Sequence, residues 1–481
     1  MPTFPTAHSP AGPAPRRGRS VFVRSMWWRL PRARALAAAA CLRLVFLVLG
    51  TAAIGLPYCS AQSSDLPAEF SRVSGRYVDV ITDMELTDSL RELPRVLDAA
   101  VPIWCSEFGI SESTVADWHL EAFIMKSRER FEAARLIPND IPHFPHGFQW
   151  GNQIWVTEQA TEYYRRHLFL HEGTHWFMNR KYRENGPPWL MEGLAEWYGT
   201  HTWDGTELRM GIIPASKLQV PGWGRISLIQ EQMQGGIAPS LETIMRYDTR
   251  AHSQAEAYAW SWAAIVLFKH HPEVKRTFDL LLKQQMQPDA TLTRWFFRRV
   301  GARRWAALRQ SWNAMLTEVA YGFAPSVDLL VFSQDPISLN TSAQALTIDS
   351  TLGWQGSGLL VSAGTRVQLS ATGECIIRGM PTGATDPESI SVHKPWICQP
   401  QGVTLEYHHG QPLGQLQMTT AAPLPTEPDF AEPLTAIPIG RGGTFVLPID
   451  GELFFRVNES SGARTDNSGK FDIRIYKDIG R

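Results

Sequence analysis

Residues 168–178 read LFLHEGTHWFM, and the middle of that stretch is His171-Glu172-Gly173-Thr174-His175. It lies within ATEYYRRHLFLHEGTHWFMNRKY (160–182), whose apolar spacing predicts a helix that stops at Asn185-Gly186-Pro187-Pro188. Residues four apart on a helix lie about 40° apart in projection. His171 and His175 therefore present two imidazoles to one cation, and Glu172 points to the side, where it holds a water on that cation. Two neutral histidines binding zinc beside a carboxylate general base is the chemistry that uses this spacing. The same letters also describe two histidines packed among Phe169, Leu170, Trp176 and Phe177.

Two neighbouring features favour a site. Gly173 sits inside a strong helix at a cost of about 1 kcal/mol relative to Ala, which is expected where something must approach closely. Sixteen residues separate His175 from Glu192, which lies in WLMEGLAEWYGTH (189–201), the next predicted helix. A helix, a proline-stopped turn and a second antiparallel helix would return Glu192 to the metal. Two histidines and one carboxylate leave a fourth position for water. Glu196, one turn further on the same face, is placed to accept a ring N–H from a liganding histidine.

Further out, YVDVITDM (77–84), HLEAFIM (119–125) and NQIWVTE (152–158) read as strands. SLRELPRVLDAAVPIWCSEF (89–108) and SRERFEAARLI (127–137) read as helices, with a proline-rich loop from Pro138 to Gly147. Residues 255–320 are helical again. From about 325 the pattern changes to short alternating segments punctuated by Gly, Pro, Ser and Thr, which predicts a β-sandwich. The expected class is multidomain α+β: a mixed α/β lobe and a helical lobe (62–325), a linker (326–345), and an all-β, jelly-roll-like sandwich (346–481).

The first 61 residues differ in kind. They hold eight arginines and no Asp, Glu or Lys, then the uncharged run LVFLVLGTAAIGL and small residues at Ser60 and Ala61. That pattern predicts an export signal cleaved after Ala61, and so a secreted, periplasmic or envelope protein. An uncleaved membrane anchor is the alternative. Without those eight arginines the remaining chain has 38 basic and 47 acidic residues, a net of −9, which argues against nucleic acid as a partner. Cys375 and Cys398 flank one loop of the β region, where an exported protein permits a disulfide. Cys105, in AAVPIWCSEF, is expected as a buried thiol.

HLFLHEGTHWFM followed by PPWLMEGLAEWYG resembles the gluzincin metallopeptidases, above all the aminopeptidase N-like group. The resemblance implies His171, His175 and Glu192 as Zn²⁺ ligands, Glu172 as general base, and Glu196 as the acidic residue that follows the third ligand by four positions. That group also uses a later-helix tyrosine to stabilise the oxyanion. Tyr258, 66 residues after Glu192, matches it, although it is also apolar enough for core packing; Tyr247 and His252 are reserves. The group's Gly-x-Met-Glu-Asn motif for the substrate amine is missing from HGFQWGNQIWVTE, so aminopeptidase specificity does not carry over. NQIWVTE is a candidate edge strand for a peptide substrate, and Glu158 at its end is not assigned as the amine anchor.

The C-terminal FRVNESSGARTDNSGKFDIRIYKD is similar to calcium-dependent galactophilic lectins of the PA-IL type. The similarity implies Glu459, Asp466 and Asn467, with the Ala463 carbonyl, as Ca²⁺ ligands, and glycans as partners. An ordinary polar turn is the competing reading. The leading expectation is a secreted zinc peptidase, acting on peptide or protein and held at glycan or envelope by its sandwich. The alternatives are a calcium-dependent carbohydrate-binding protein with an inert peptidase-like lobe, and a gluzincin scaffold hydrolysing something other than a peptide.

Overall fold

The computed structural model describes residues 66–183, 186–284, 289–378 and 395–479. The expected export signal and its cleavage position lie outside the described residues, as does Asn185 of the predicted helix stop. Among the described residues, no helix is long and apolar enough to cross a membrane.

The N-terminal part is built from β1 (Ser71–Ser74), β2 (Val78–Thr82), α1 (Asp88–Arg91), α2 (Leu93–Phe108), β3 (Leu120–Met125), α3 (Arg128–Ala133), β4 (Gly147–Trp150) and β5 (Gln153–Thr157). The strands form one sheet in the order β1-β2-β3-β5-β4, parallel at its centre with antiparallel edges. Both faces are covered, so the alternation along β3 and β5 sorts apolar residues between two cores. Ala122, Ile124, Ile154 and Val156 join the large core with α2, while Phe123, Met125 and Trp155 join a smaller one with Phe131, Ile137, Ile141 and Phe144. The expected helix over 127–137 ends early because the chain turns at Arg135 (φ 57°) to tuck Ile137 under this second face.

Position corrects one expectation. NQIWVTE is not the edge strand: β5 lies between β3 and β4, and the edge is β4, which begins at Gly147 where the predicted loop ends. Gly151 (φ 58°) makes the tight reversal that folds β4 back onto β5.

Next come α4 (Glu162–Tyr182) and α5 (Pro188–Gly199). Thr161 caps α4 by accepting from Tyr164 N–H at 3.1 Å, and Arg183 ends it in a left-handed conformation. Pro188 starts α5, where its missing N–H costs nothing. Every residue of α5 is buried, as expected of a helix apolar on all sides except for two carboxylates that the structure compensates. Gly173 packs for a different reason from the one expected. A Cβ there would stand 3.0 Å from Leu97 and 3.3 Å from Trp104, so it permits close packing of α4 on α2.

The hairpin β6 (His201–Trp203) and β7 (Leu208–Met210) precedes α6 (Arg225–Gln234), α7 (Leu241–Met245), α8 (Ala255–His270), α9 (Lys275–Lys283), α10 (Asp289–Val300), α11 (Ala302–Glu318) and α12 (Pro325–Asp328). His201 is buried here as a neutral ring. Its Nδ1 donates to the Gly199 carbonyl at 2.7 Å, and its Nε2 accepts from Arg166 at 2.9 Å. Burial, with Arg166 alongside, lowers its pKa to about 3. The unfolded ring titrates near about 6.5, so the unfolded chain binds the extra proton and stability falls as pH drops from there toward 3. Denaturant midpoints at pH 7.5 and 4.5 should show this loss, and His201→Asn should show a smaller one. An equal loss in both proteins would remove His201 from the account.

The sandwich contains β8 (Ile337–Ser338), β9 (Gln344–Asp349), β10 (Gln355–Val361), β11 (Arg366–Ile377), β12 (Trp396–Cys398), β13 (Val403–His408), β14 (Gln411–Leu413), β15 (Leu416–Ala421), β16 (Ile437–Pro438), β17 (Gly442–Val446), β18 (Gly451–Val457) and β19 (Ser468–Lys477). One sheet runs β16-β15-β18-β10-β8 and the other β12-β11-β19-β9, with β17 also on β11. Alternate residues of the two sheets, among them Leu359, Met418, Phe455, Val367, Leu369 and Ile473, meet in one core. Cys375 stands directly opposite Cys398, and both are buried free thiols, as is Cys105. The connection expected as a linker is packed: Asp328 and Leu330 are buried against the rest.

Candidate metal centre

α4 and α5 lie side by side and bring three donors together. His171 Nε2 and His175 Nε2 are 3.2 Å apart, and each is 3.4 Å from Glu192 Oε2. Tetrahedral bonds of about 2.0–2.1 Å separate ligand atoms by about 3.3–3.4 Å, so this triangle has the dimensions of one face of a zinc coordination shell. Glu192 Oε1 is taken by His252 Nδ1, whereas Oε2 is buried without a hydrogen-bond partner. A buried carboxylate oxygen with no donor is costly unless a cation faces it. These three residues could hold a metal ion.

Glu196 supports the histidines from beneath. Its Oε1 lies 3.4 Å from His171 Nδ1, which orients that ring with Nε2 toward the triangle. Arg225 donates to both Glu196 oxygens (3.0 and 2.8 Å), and Trp223 Nε1 donates at 3.0 Å. Burial opposes the charge on Glu196, but Arg225 and His167 hold its carboxyl well below the usual range. Burial likewise disfavours a charged His171, and the Glu192 and Glu196 carboxylates beside it act in the opposite direction.

His167 was not singled out from the sequence, although its spacing of four from His171 repeats the spacing of the motif. It is fully buried, 3.5 Å from Glu196 Oε2. His167, His171 and Glu196 form a second convergent set, but Arg225 already occupies both oxygens of Glu196, which leaves that set unsuited to a cation.

Glu172 is buried, and burial pushes its carboxyl pKa up. Its carboxylate rests against the backbone of Gly147, where any Cβ would collide with it. The edge strand thus passes directly over the expected base. Glu172, the three donors and β4 line one open cleft of about 870 Å³. Tyr258, in the first turn of α8, lines it too: its ring is 5.8 Å from that of His171, and its hydroxyl donates to the His252 carbonyl. Burial raises the Tyr258 pKa above the usual phenol range, so the group is a proton donor. His252 enters the cleft through Glu192. Tyr247 packs against the helical core, outside the cleft lining. Glu158 is engaged by Arg165 at 2.6 Å and does not line the cleft.

In the sandwich, Glu459 and Asn467 are buried together. The Asn467 amide donates to Glu459 Oε2 at 2.7 Å and to the Ser350 carbonyl at 2.9 Å, and burial pushes the Glu459 carboxyl up to about 7. Asp466 and Ala463 are exposed. Asn467 thus turns its N–H, not its oxygen, to the expected calcium partner.

No family model matches the chain, and no curated protein matches it. Among solved structures, the chain is similar to "EclA N-terminal domain; PllA-like lectin", at 17% identity and a TM-score of 0.20, over 30% of this chain and all of that one.

Proposed function

We propose that this chain is a zinc-dependent peptidase of gluzincin type, with His171, His175 and Glu192 as metal ligands and Glu172 as general base. The observation that carries the reading is the donor triangle of 3.2–3.4 Å formed by His171 Nε2, His175 Nε2 and the buried Glu192 Oε2. Zinc bound there would supply Lewis acidity and a water of lowered pKa. Glu172 takes the proton of the attacking water and returns it to the leaving amine. Its raised pKa and buried position under β4 suit that shuttle. Tyr258 offers a phenol to the developing oxyanion once its hydroxyl leaves the His252 carbonyl. β4 offers an extended substrate the unpaired backbone groups of a sheet edge.

Purified protein should contain one zinc per chain, and a chelator should remove both the metal and peptide hydrolysis, with zinc restoring both. Stoichiometric zinc without cleavage of any peptide in a broad library would rule out the peptidase reading. Protein that takes up no zinc would rule out the metal centre.

A further inference from the structure

The cleft is not uniform along its length. At one end are the acidic and imidazole groups of the metal centre; at the other, every charged lining residue is an arginine, Arg180 or Arg183. Three contacts give the direction. Gly147 lies over Glu172, the Asn179 amide donates to Gln149 Oε1 at 2.7 Å, and Arg180 Nη1 donates to Asn152 Oδ1 at 3.1 Å. The β4–β5 hairpin therefore runs beside α4 from the base toward the arginines.

Arg180 is held for use. Its guanidinium lies over the Trp118 ring at 5.2 Å and keeps one bond to Asn152. Among the described residues neither Arg180 nor Arg183 has a carboxylate partner. Asn179, between them and the metal, has a buried Oδ1 with no hydrogen-bond partner. A preorganised guanidinium with free N–H groups is matched to a carboxylate.

We infer that this end of the cleft is a subsite for a substrate carboxylate, which makes the preferred substrates acidic peptides. The inference rests on the peptidase reading and names the substrate class for it. Arg180 and Arg183 stand about 7.5 and 12 Å along the helix from His175. An extended peptide covers about 3.3 Å per residue, so the carboxylate belongs two to four residues from the scissile bond. An Asp or Glu side chain, or the chain's own C-terminus, supplies the same group.

The test uses matched quenched peptides with Glu or Gln at those positions, each with a free or an amidated C-terminus. Wild-type enzyme should favour the carboxylate-bearing peptides in kcat/KM by about 10-fold or more, and added salt should shrink the preference. A preference that follows the free terminus assigns the subsite to the chain end; one that follows Glu assigns it to a side chain. Arg180→Gln, alone and with Arg183→Gln, should reduce the ratio to near unity. Equal rates for Glu and Gln peptides in wild type, or a ratio that survives the double substitution, overturns the subsite. Calorimetric binding to zinc-loaded Glu172→Gln protein separates the two ideas. Salt-sensitive binding of acidic peptides there, with no cleavage by wild type, would keep the subsite and sink the peptidase reading.

Discussion

Glu172→Gln is expected to keep the fold and the zinc and to lower peptide hydrolysis by about 10²–10⁴-fold, the usual worth of a general base. The substitution is nearly isosteric, so the carboxamide still fits against Gly147, where the structure leaves no room for a Cβ. Glu172 is not one of the three donors that converge, and zinc content should stay at one per chain. The loss should appear in kcat, with KM little changed, because a general base acts on the proton of the attacking water and does not hold the peptide. A Gln variant with more than about a tenth of wild-type kcat would exclude Glu172 as the base. Loss of zinc in that variant would place Glu172 among the ligands and change the mechanism.

Glu318→Ala should destabilise the whole molecule by about 3–5 kcal/mol. Glu318 ends α11, and its carboxylate meets Arg456 of β18 and, at 3.2 Å, Arg464 of the sandwich. Arg464 also reaches Asp328 at 2.8 Å, and Arg456 lies over Trp354 at 4.4 Å. All four charged side chains are at most 4% exposed. Burial opposes the charge on Glu318, but the two guanidiniums hold its carboxyl below the usual range. Two buried cations balanced by two carboxylates become two cations against one when Glu318 is lost, and the cost follows from that excess charge. Urea titrations of wild type and variant measure it. A difference under about 1 kcal/mol would mean that water or rearrangement relieves the charge. The same network ties helices to sandwich, so wild type should unfold in a single transition.

Much of the centre was legible because its parts are local. The spacing of His171 and His175 needs only a helix, and Pro187-Pro188 needs only a break before the next one. Glu192 and Glu196 then share a face by the same periodicity. The strands of the sandwich were legible from alternation, since Val367, Leu369 and Ala371 face one way along β11.

Other parts were not legible. Nothing periodic in 202–254 announces Trp223 or Arg225, which reach Glu196 from outside the two helices, and His252, a reserve for the oxyanion, instead pairs with Glu192. His167 had a signal, the repeated spacing of four, which went unused. Gly173 carried a true signal for close approach but not its direction: the neighbour is α2, through Leu97 and Trp104.

The sequence by itself determined which side chains stand one helical turn apart, because backbone periodicity is a local property of the chain. Only the tertiary structure decided which of them converge. Helix packing set Glu192 Oε2 at 3.4 Å from both imidazoles, and the order of strands made β4, not β5, the edge over Glu172. Those outcomes depend on contacts between segments far apart in the chain, and no local pattern encodes them.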